Sequence, residues 1–408
     1  MKPVEEHVAE CLAAVRPLPP VELDLLDALD CVLAEDVVSP VDLPRFDNSS
    51  MDGYAVRIPD VAAATAAHPA VLTVSIDLPA GVDAVPVLAA ATVARIMTGA
   101  PVPEGTDAVV PVEWTDGGVD VVTVLQPPAP GQYVRRAGED VRAGERVLTR
   151  GTRLSPRHVA LLAAVGRSRA LVHPRPRVVV LSTGSELLPP GAPLQFGRIH
   201  DANGYGLTAA ALELGAHARH GGIVPDDEAA VIAALQAALV DTDIVITSGG
   251  VSAGAYDTVK EVLRRLGAVL FEKVAMQPGM PQGFGTLGDR GTPIFTLPGN
   301  PVSSMVSFEV FVRPVLRKLA GETTLHRHVL PAVAAVPWTS PRGKRQFVRA
   351  VIERRSDGVS VVTPVGGQGS HLVADLAEAT CLAVVPEQVT EVTVGMALNC
   401  MLLDRARR

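Results

Sequence analysis

The apolar positions of this chain are arranged in three ways: unbroken runs, helical stripes and strict alternation. Unbroken runs occur at residues 178–181, 244–246 and 294–297. The first leads into Ser182-Thr183-Gly184-Ser185-Glu186 and the second into Thr247-Ser248-Gly249-Gly250. The third leads into Pro298-Gly299-Asn300-Pro301-Val302-Ser303-Ser304. Strands that are apolar on both faces belong to a covered, parallel sheet. Ligands of such sheets bind beyond the carboxyl ends of the strands. Three small, hydroxyl-rich loops at those ends offer backbone N–H groups suited to an oxyanion or a phosphate.

Stripes at helical spacing flank these runs. Residues 4–15 place Val8, Cys11, Leu12 and Val15 on one face. A second short helical piece is expected over 23–33. Residues 155–165 read as a helix, with Ser155 as cap, Pro156 at the first position and Gly166 as its end. Further stripes are Leu207/Ala210/Ala211/Leu214, Val231/Leu235/Ala238/Leu239 and Val259/Val262/Leu263/Leu266. Pro225-Asp226-Asp227-Glu228 suits the start of the second of these, and Asn300-Pro301 the start of the last helix.

Alternation marks two β regions. The first spans 70–125, with strands expected at 70–76, 93–97, 108–112 and 119–125. The second follows Gly321, with strands expected at 329–337, 346–353, 359–363, 380–385 and 397–403. Between the patterned stretches lie three polar segments: Pro44 to Ala55 (with Phe46 and Tyr54 as anchors), Thr98 to Gly105, and Arg135 to Asp140. Each taken alone reads as a surface turn or rigid connector. Gly366-Gly367-Gln368-Gly369-Ser370-His371 reads as a flexible loop able to close on a ligand. Pro174 and Pro176 mark a domain boundary.

With 408 residues the chain exceeds one core, so several domains are expected. Aromatics are only 3%, which disfavours base-stacking surfaces, and a net charge of −8 argues against nucleic acid and anionic membrane. No apolar run approaches a membrane span. Cys11, Cys31, Cys381 and Cys400 lack metal or redox spacing, and the acidic N-terminus lacks a signal peptide's apolar core, so a cytoplasmic location is expected.

Against this acidic background an anionic ligand needs a local basic site. The densest cluster is Arg342, Lys344, Arg345 and Arg349. His326-Arg327-His328 reads as linker surface. At the strand ends, Glu186, Asp226 and Asp257 could hold a hard divalent cation, and Lys273 could supply a point charge. Phosphate, Mg²⁺ and Lys together are the grammar of phosphoryl or nucleotidyl cleavage. The sequence holds no Gly-x-Ser-x-Gly, Rossmann or Walker pattern.

Six motifs occur in one order along the chain. They are Met51-Asp52-Gly53-Tyr54-Ala55, Thr98-Gly99-Ala100 with Pro103-Glu104-Gly105, and Gly138-Glu139-Asp140, then Ser182-Thr183-Gly184, Ser248-Gly249-Gly250-Val251-Ser252 and Leu297-Pro298-Gly299-Asn300-Pro301-Val302-Ser303. In this the chain closely resembles the molybdopterin molybdenumtransferase (molybdenum insertase) family, called MoeA in bacteria and the E domain in gephyrin. The resemblance implies a multidomain α+β and α/β fold. Its parts would be a mixed first domain (1–45 plus 140–175), an inserted β domain (46–139), a molybdopterin-binding-like α/β domain (176–322) and a C-terminal β-barrel domain (323–408).

The resemblance also implies an elongated homodimer with its active site at the dimer cleft, and a reaction. Adenylylated molybdopterin and molybdate would yield molybdenum cofactor and AMP, with Mg²⁺ required. It gives catalytic roles to Asp52, Thr98, Asp140, Glu186, Asp226 and Lys273, and a metal-binding role to Asp257 with Glu186. Substrate-binding roles fall to Thr183, Gly184, Ser248, Gly249, Gly250, Pro298, Gly299, Asn300, Arg349 and Ser370. A molybdopterin adenylyltransferase and molybdoenzymes are the implied partners.

The chain departs from the family pattern in two places. Gln277-Pro278-Gly279-Met280-Pro281 stands where the family carries Lys-Pro-Gly-Lys-Pro, and Ser185 stands where an Asp is common. Two positive charges are missing from an anion site. The departures keep open a second reading, a dimeric cofactor-binding or scaffold paralogue without turnover. A third reading is a different nucleotidyl enzyme on the same α/β domain. It is disfavoured because such proteins are usually that domain alone.

Overall fold

Backbone contacts divide the chain into two compact units. The larger comprises Met1–Glu22, Asp30–Ala34 and Leu171–Arg408, the smaller Leu23–Leu29 and Glu35–Ala170. The computed structural model describes residues 1–250, 258–266 and 269–403.

The larger unit opens with α1 (Val4–Ala13), which buries Val4, His7 and Cys11. The helical piece expected over 23–33 does not form. Instead there are strands at Val21–Asp24 and Val32–Leu33, with turns between them. Asp30 there has φ 65°, a conformation that helices exclude.

The smaller unit is built on a five-stranded sheet. Its strands are β1 (Gly53–Val56), β2 (Ala70–Leu78), β3 (Thr92–Ile96), β4 (Ala108–Pro111) and β5 (Val121–Val124), in the order β4-β1-β3-β2-β5. The alternation of β2 is as expected: Leu72 and Leu78 are buried and Val71 faces out. β1 is a departure, because the stretch read as polar and turn-rich supplies an interior strand. Its four residues are all buried and Tyr54 is an anchor, whereas Phe46 is 49% exposed. Later in this unit, α2 (Pro156–Ala164) carries the Ser155 cap, in a capping box completed by His158.

In the larger unit a six-stranded sheet alternates with helices: β6 (Arg177–Thr183), α3 (Asn203–Glu213), β7 (His217–Val224), α4 (Glu228–Leu239), β8 (Ile244–Ser248) and α5 (Thr258–Arg265). It continues through β9 (Val269–Lys273), β10 (Pro281–Leu287), β11 (Thr292–Leu297) and α6 (Pro301–Ser307). A π-helical turn, Phe308–Val312, joins α6 to α7 (Arg313–Leu319).

The strand order is β7-β6-β8-β11-β10-β9. The pairs β7/β6, β6/β8 and β8/β11 are parallel, while β11/β10 and β10/β9 are antiparallel. The sheet is therefore mixed rather than purely parallel. The continuous runs follow from burial on both faces. Val178, Val180, Ile244, Ile246 and Phe295 pack with α1, α3, α6 and α7. Val179, Leu181, Val245 and Ile294 pack with α4 and α5.

The chain then forms β12 (Val329–Ala334), β13 (Arg345–Arg354), β14 (Ser360–Pro364), β15 (Cys381–Val385) and β16 (Ala397–Leu402). They pair as β13-β14-β12-β16-β15, and β15 pairs back to β13, which closes a five-stranded barrel. Closure removes free edges. Four cysteines are free and buried, Cys381 and Cys400 in the barrel core. No helix of the described residues is long and apolar enough to cross a membrane.

Candidate active site

A cleft of about 720 Å³ lies beyond the carboxyl ends of β6, β8 and β11. The three loops anticipated from the sequence line it together: Thr183 and Gly184, then Ser248, Gly249 and Gly250, then Pro298, Gly299 and Asn300. Glu186 and Asp226 line it as well.

Local structure explains how these loops approach one another. The Thr183 hydroxyl donates to the Ser248 carbonyl at 3.1 Å, and the Gly249 N–H donates to the Leu297 carbonyl at 3.0 Å. Gly249 has φ +96°, and a Cβ there would stand 2.6 Å from the Thr183 carbonyl oxygen. Only glycine allows so close an approach. A Cβ on Gly184 would stand 2.6 Å from the Glu186 carboxylate, so that carboxylate lies back over the first loop.

Of the acids ahead of α4, Asp227 caps the helix, accepting from Ala230 N–H at 2.9 Å. Asp226 instead accepts from Ser185 N–H at 2.9 Å, while its own N–H donates to Ser185 Oγ at 3.1 Å. A serine at position 185 thus ties Asp226 to the first loop by two bonds.

The structure adds residues that the sequence reading passed over. Asn203 Nδ2 donates to Ser248 Oγ and to the Gly299 carbonyl, both at 2.7 Å, which ties two of the three loops to α3. Asp201, 1% exposed, accepts from Gly204 N–H at 2.8 Å and meets His220 Nε2 at 2.9 Å. Tyr205 stacks on His220 with centroids 5.1 Å apart. Asp201, Asn203 and His371 line the cleft. The available signal was Asp201-Ala202-Asn203 just ahead of the α3 stripe, the position of a helix cap.

Asn300 occupies the cap position of α6 but makes no side-chain cap bond. Its Nδ2 donates to Ser370 Oγ at 2.8 Å, and the Val302 N–H donates to the Ser370 carbonyl at 3.1 Å. The 366–371 loop is thereby fastened to α6.

Arg349 is 5% exposed and lines a second cavity of about 280 Å³ with Gln277, Pro278, Gln346 and Gln368. Its guanidinium donates to the Gly369 carbonyl at 3.0 Å and to the Gly367 carbonyl, with Asp375 at 3.8 Å. Burial pulls this guanidinium below its ordinary range, and Asp375 opposes that. Arg345 pairs with Glu5 and with Glu387 at 2.9 Å. Two members of the basic cluster are therefore engaged inside the protein. Arg327 is also turned inward, its fork on Glu309 at 2.8 Å twice, while His326 and His328 are exposed.

Lys273 ends β9, exposed and opposite Pro281, itself a cleft residue. In the smaller unit, Asp52 accepts from the Thr98 N–H at 2.6 Å and the Thr98 hydroxyl at 2.8 Å. The backbone N–H, then the hydroxyl, hold the Asp52 carboxyl below the usual carboxylate range. Asp140 is exposed, its N–H donating to the Leu43 carbonyl at 3.0 Å. Asp257, with Val251 and Ser252, lies outside the described residues.

The cleft is thus lined by glycines and hydroxyls, with Glu186, Asp201 and Asp226 as its acidic lining residues. Comparison with known proteins finds matches along nearly the whole chain. Residues 2–166 match the MoeA N-terminal region (domain I and II), 179–318 a probable molybdopterin binding domain, and 331–403 the MoeA C-terminal region (domain IV). The chain belongs to the MoeA family of molybdopterin molybdenumtransferases. It is 48% identical to molybdopterin molybdenumtransferase 2 of Mycobacterium tuberculosis, across 98% of this chain and 99% of that one. It is 38% identical to the molybdopterin molybdenumtransferase of Haemophilus influenzae, across 91% of each. The crystal structure of a molybdopterin biosynthesis MoeA protein from Pyrococcus horikoshii covers 99% of both chains, with a TM-score of 0.82 and 32% identity. As a MoeA-family member the chain is an enzyme, a transferase, and its α/β sheet and closed barrel are the MoeA fold.

Proposed function

We propose that this chain inserts molybdate into adenylylated molybdopterin, releasing AMP and giving molybdenum cofactor. The observation that carries the reading is the cleft itself. Three small-residue loops converge at the strand ends, with Glu186 and Asp226 beside them. Loop backbone amides and the hydroxyls of Ser248 and Ser303 bind the substrate's phosphates and orient them, while the Thr183 hydroxyl, bonded to the Ser248 carbonyl, braces the loops. Asn203 holds the second and third loops at fixed spacing, so the donors are set before substrate arrives.

The donor set suits Mg²⁺. Glu186 and Asp226 offer hard carboxylate oxygens beside a phosphate-binding cleft, and Asp257 adds a third in the sequence. Mg²⁺, when bound, offsets charge that grows on the pyrophosphate oxygens. Lys273 brings a positive charge to the same end of the sheet, and charge stabilisation there lowers the barrier. Molybdate, a tetrahedral dianion, requires donors such as Ser370 and Arg349. Roles for Asp52, Thr98 and Asp140, the homodimer, the four-domain division, the adenylyltransferase and molybdoenzyme partners and a cytoplasmic location belong to the same reading.

A second reading, binding without turnover, draws on Gln277 and Met280, which place no positive charge where the family pattern has lysines. The two are separated by chemistry. Incubation with adenylylated molybdopterin, Mg²⁺ and molybdate should yield AMP and molybdenum-loaded cofactor in equal amounts. Substrate that binds and stays intact would favour the second reading. Release of pyrophosphate from ATP in a separate incubation with molybdopterin would instead mark an adenylyltransferase step.

A further inference from the structure

Helix α1 carries a cluster of ligating groups that the proposed reaction does not use. His7 and Glu10 stand three residues apart, hence on one helix face, and Glu272 reaches them from β9. One ligand atom from each of the three lies within 4.8 Å of the others. His7 is 2% exposed, and neither of its ring nitrogens has a hydrogen-bond partner. Its Nδ1 is 3.8 Å from Glu272 Oε2, too far for a hydrogen bond. The ring sits edge-on to Phe311 with centroids 4.8 Å apart.

A buried polar group without a partner is costly, and native proteins rarely leave one. Both ring nitrogens of His7 are thus buried and open to a partner. The Lys2 ammonium contacts both Glu10 and Glu272. One positive charge between two carboxylates leaves a net negative charge beside an unsatisfied imidazole.

We propose that His7, Glu10 and Glu272 form a binding site for a divalent transition metal of the zinc class, with the Lys2 ammonium standing in the cation's place when no metal is bound. Zinc takes imidazole nitrogen at about 2.0–2.1 Å and carboxylate oxygen at about 2.0–2.2 Å, and tolerates three protein ligands plus water. A divalent ion neutralises both carboxylates and gives His7 the partner it lacks. Lys2 moves aside on its flexible stem as the cation enters. An imidazole donor distinguishes this site from an all-oxygen magnesium site.

The test uses the full chain, dialysed against chelator and titrated with Zn²⁺ by calorimetry. One ion should bind per chain. His7→Phe, which keeps an aromatic ring against Phe311, and Glu272→Gln should each weaken binding at least tenfold. Lys2→Met should tighten it about tenfold by removing the competing cation. X-ray absorption of the zinc-loaded wild-type chain should show one imidazole among nitrogen and oxygen ligands, a readout independent of any variant's folding. No one-per-chain event, a zinc spectrum without imidazole, or binding unchanged by Lys2→Met would overturn the proposal.

Discussion

Asp226 shows how one side chain can serve structure and chemistry through different atoms. Its carboxylate accepts from Ser185 N–H, which fixes the first loop, and its charge faces the cleft. Asp226→Asn keeps an acceptor for Ser185 and removes only the charge. The single-turnover rate of AMP formation should fall on the order of 10²–10³-fold with the melting temperature unchanged. An unchanged rate would leave Asp226 a purely structural residue. At this scale the sequence was informative where residue type alone limits the options. Glycines 184, 249 and 250, the acids Glu186 and Asp226 and the Asn300-Pro301 start all line the cleft as expected. Beyond the local cap signal at Asp201-Ala202-Asn203, it did not show the pairing of Asp201 with His220 or of Asn203 with Ser248 and Gly299, which span 19 to 96 residues that no local pattern encodes. The pairing of Arg345 with Glu5 and Glu387 was not legible either, since both acids are remote in sequence.

Among the elements, the loop after β8 depends on a backbone that L side chains rarely adopt. Gly249→Ala would place a methyl 2.6 Å from the Thr183 carbonyl at φ +96°. Strain of this kind costs on the order of 1–3 kcal/mol. The variant should unfold at lower urea concentration and bind adenylylated molybdopterin at least tenfold more weakly. Wild-type values for both would mean that the loop relaxes freely. The strong patterns were legible here: β2, the doubly buried β6, β8 and β11, and the barrel strands fall where period and composition put them. The failures have physical causes. β1 carries Gly, Tyr and Ala flanked by Asp and Ser, a composition typical of turns. It becomes an interior strand because β3 and β4 pair with it on either side. The antiparallel pairing of β9 and β10 is equally invisible to periodicity, since an apolar pattern reads the same in either strand direction.

For the molecule as a whole, burial of His7 makes stability depend on pH. Its folded pKa, about 4, lies below the ordinary 6.5, so the unfolded chain binds the extra proton between those values. The contribution is therefore complete above pH 6.5 and declines as pH falls towards 4, by at most about 3 kcal/mol. Melting temperatures measured from pH 7 to pH 4.5 should fall less steeply in His7→Phe than in the wild-type chain. Parallel curves would show that His7 is not the group concerned.

The proposed reaction draws on the cleft at the strand ends and on membership of the MoeA family. The most direct measurement is AMP formation from adenylylated molybdopterin in a single turnover with Mg²⁺, across a molybdate titration. The account predicts AMP formation that rises with molybdate to saturation, one AMP per cofactor loaded. Substrate that stays bound and intact at saturating molybdate, or AMP formation indifferent to molybdate, would contradict it.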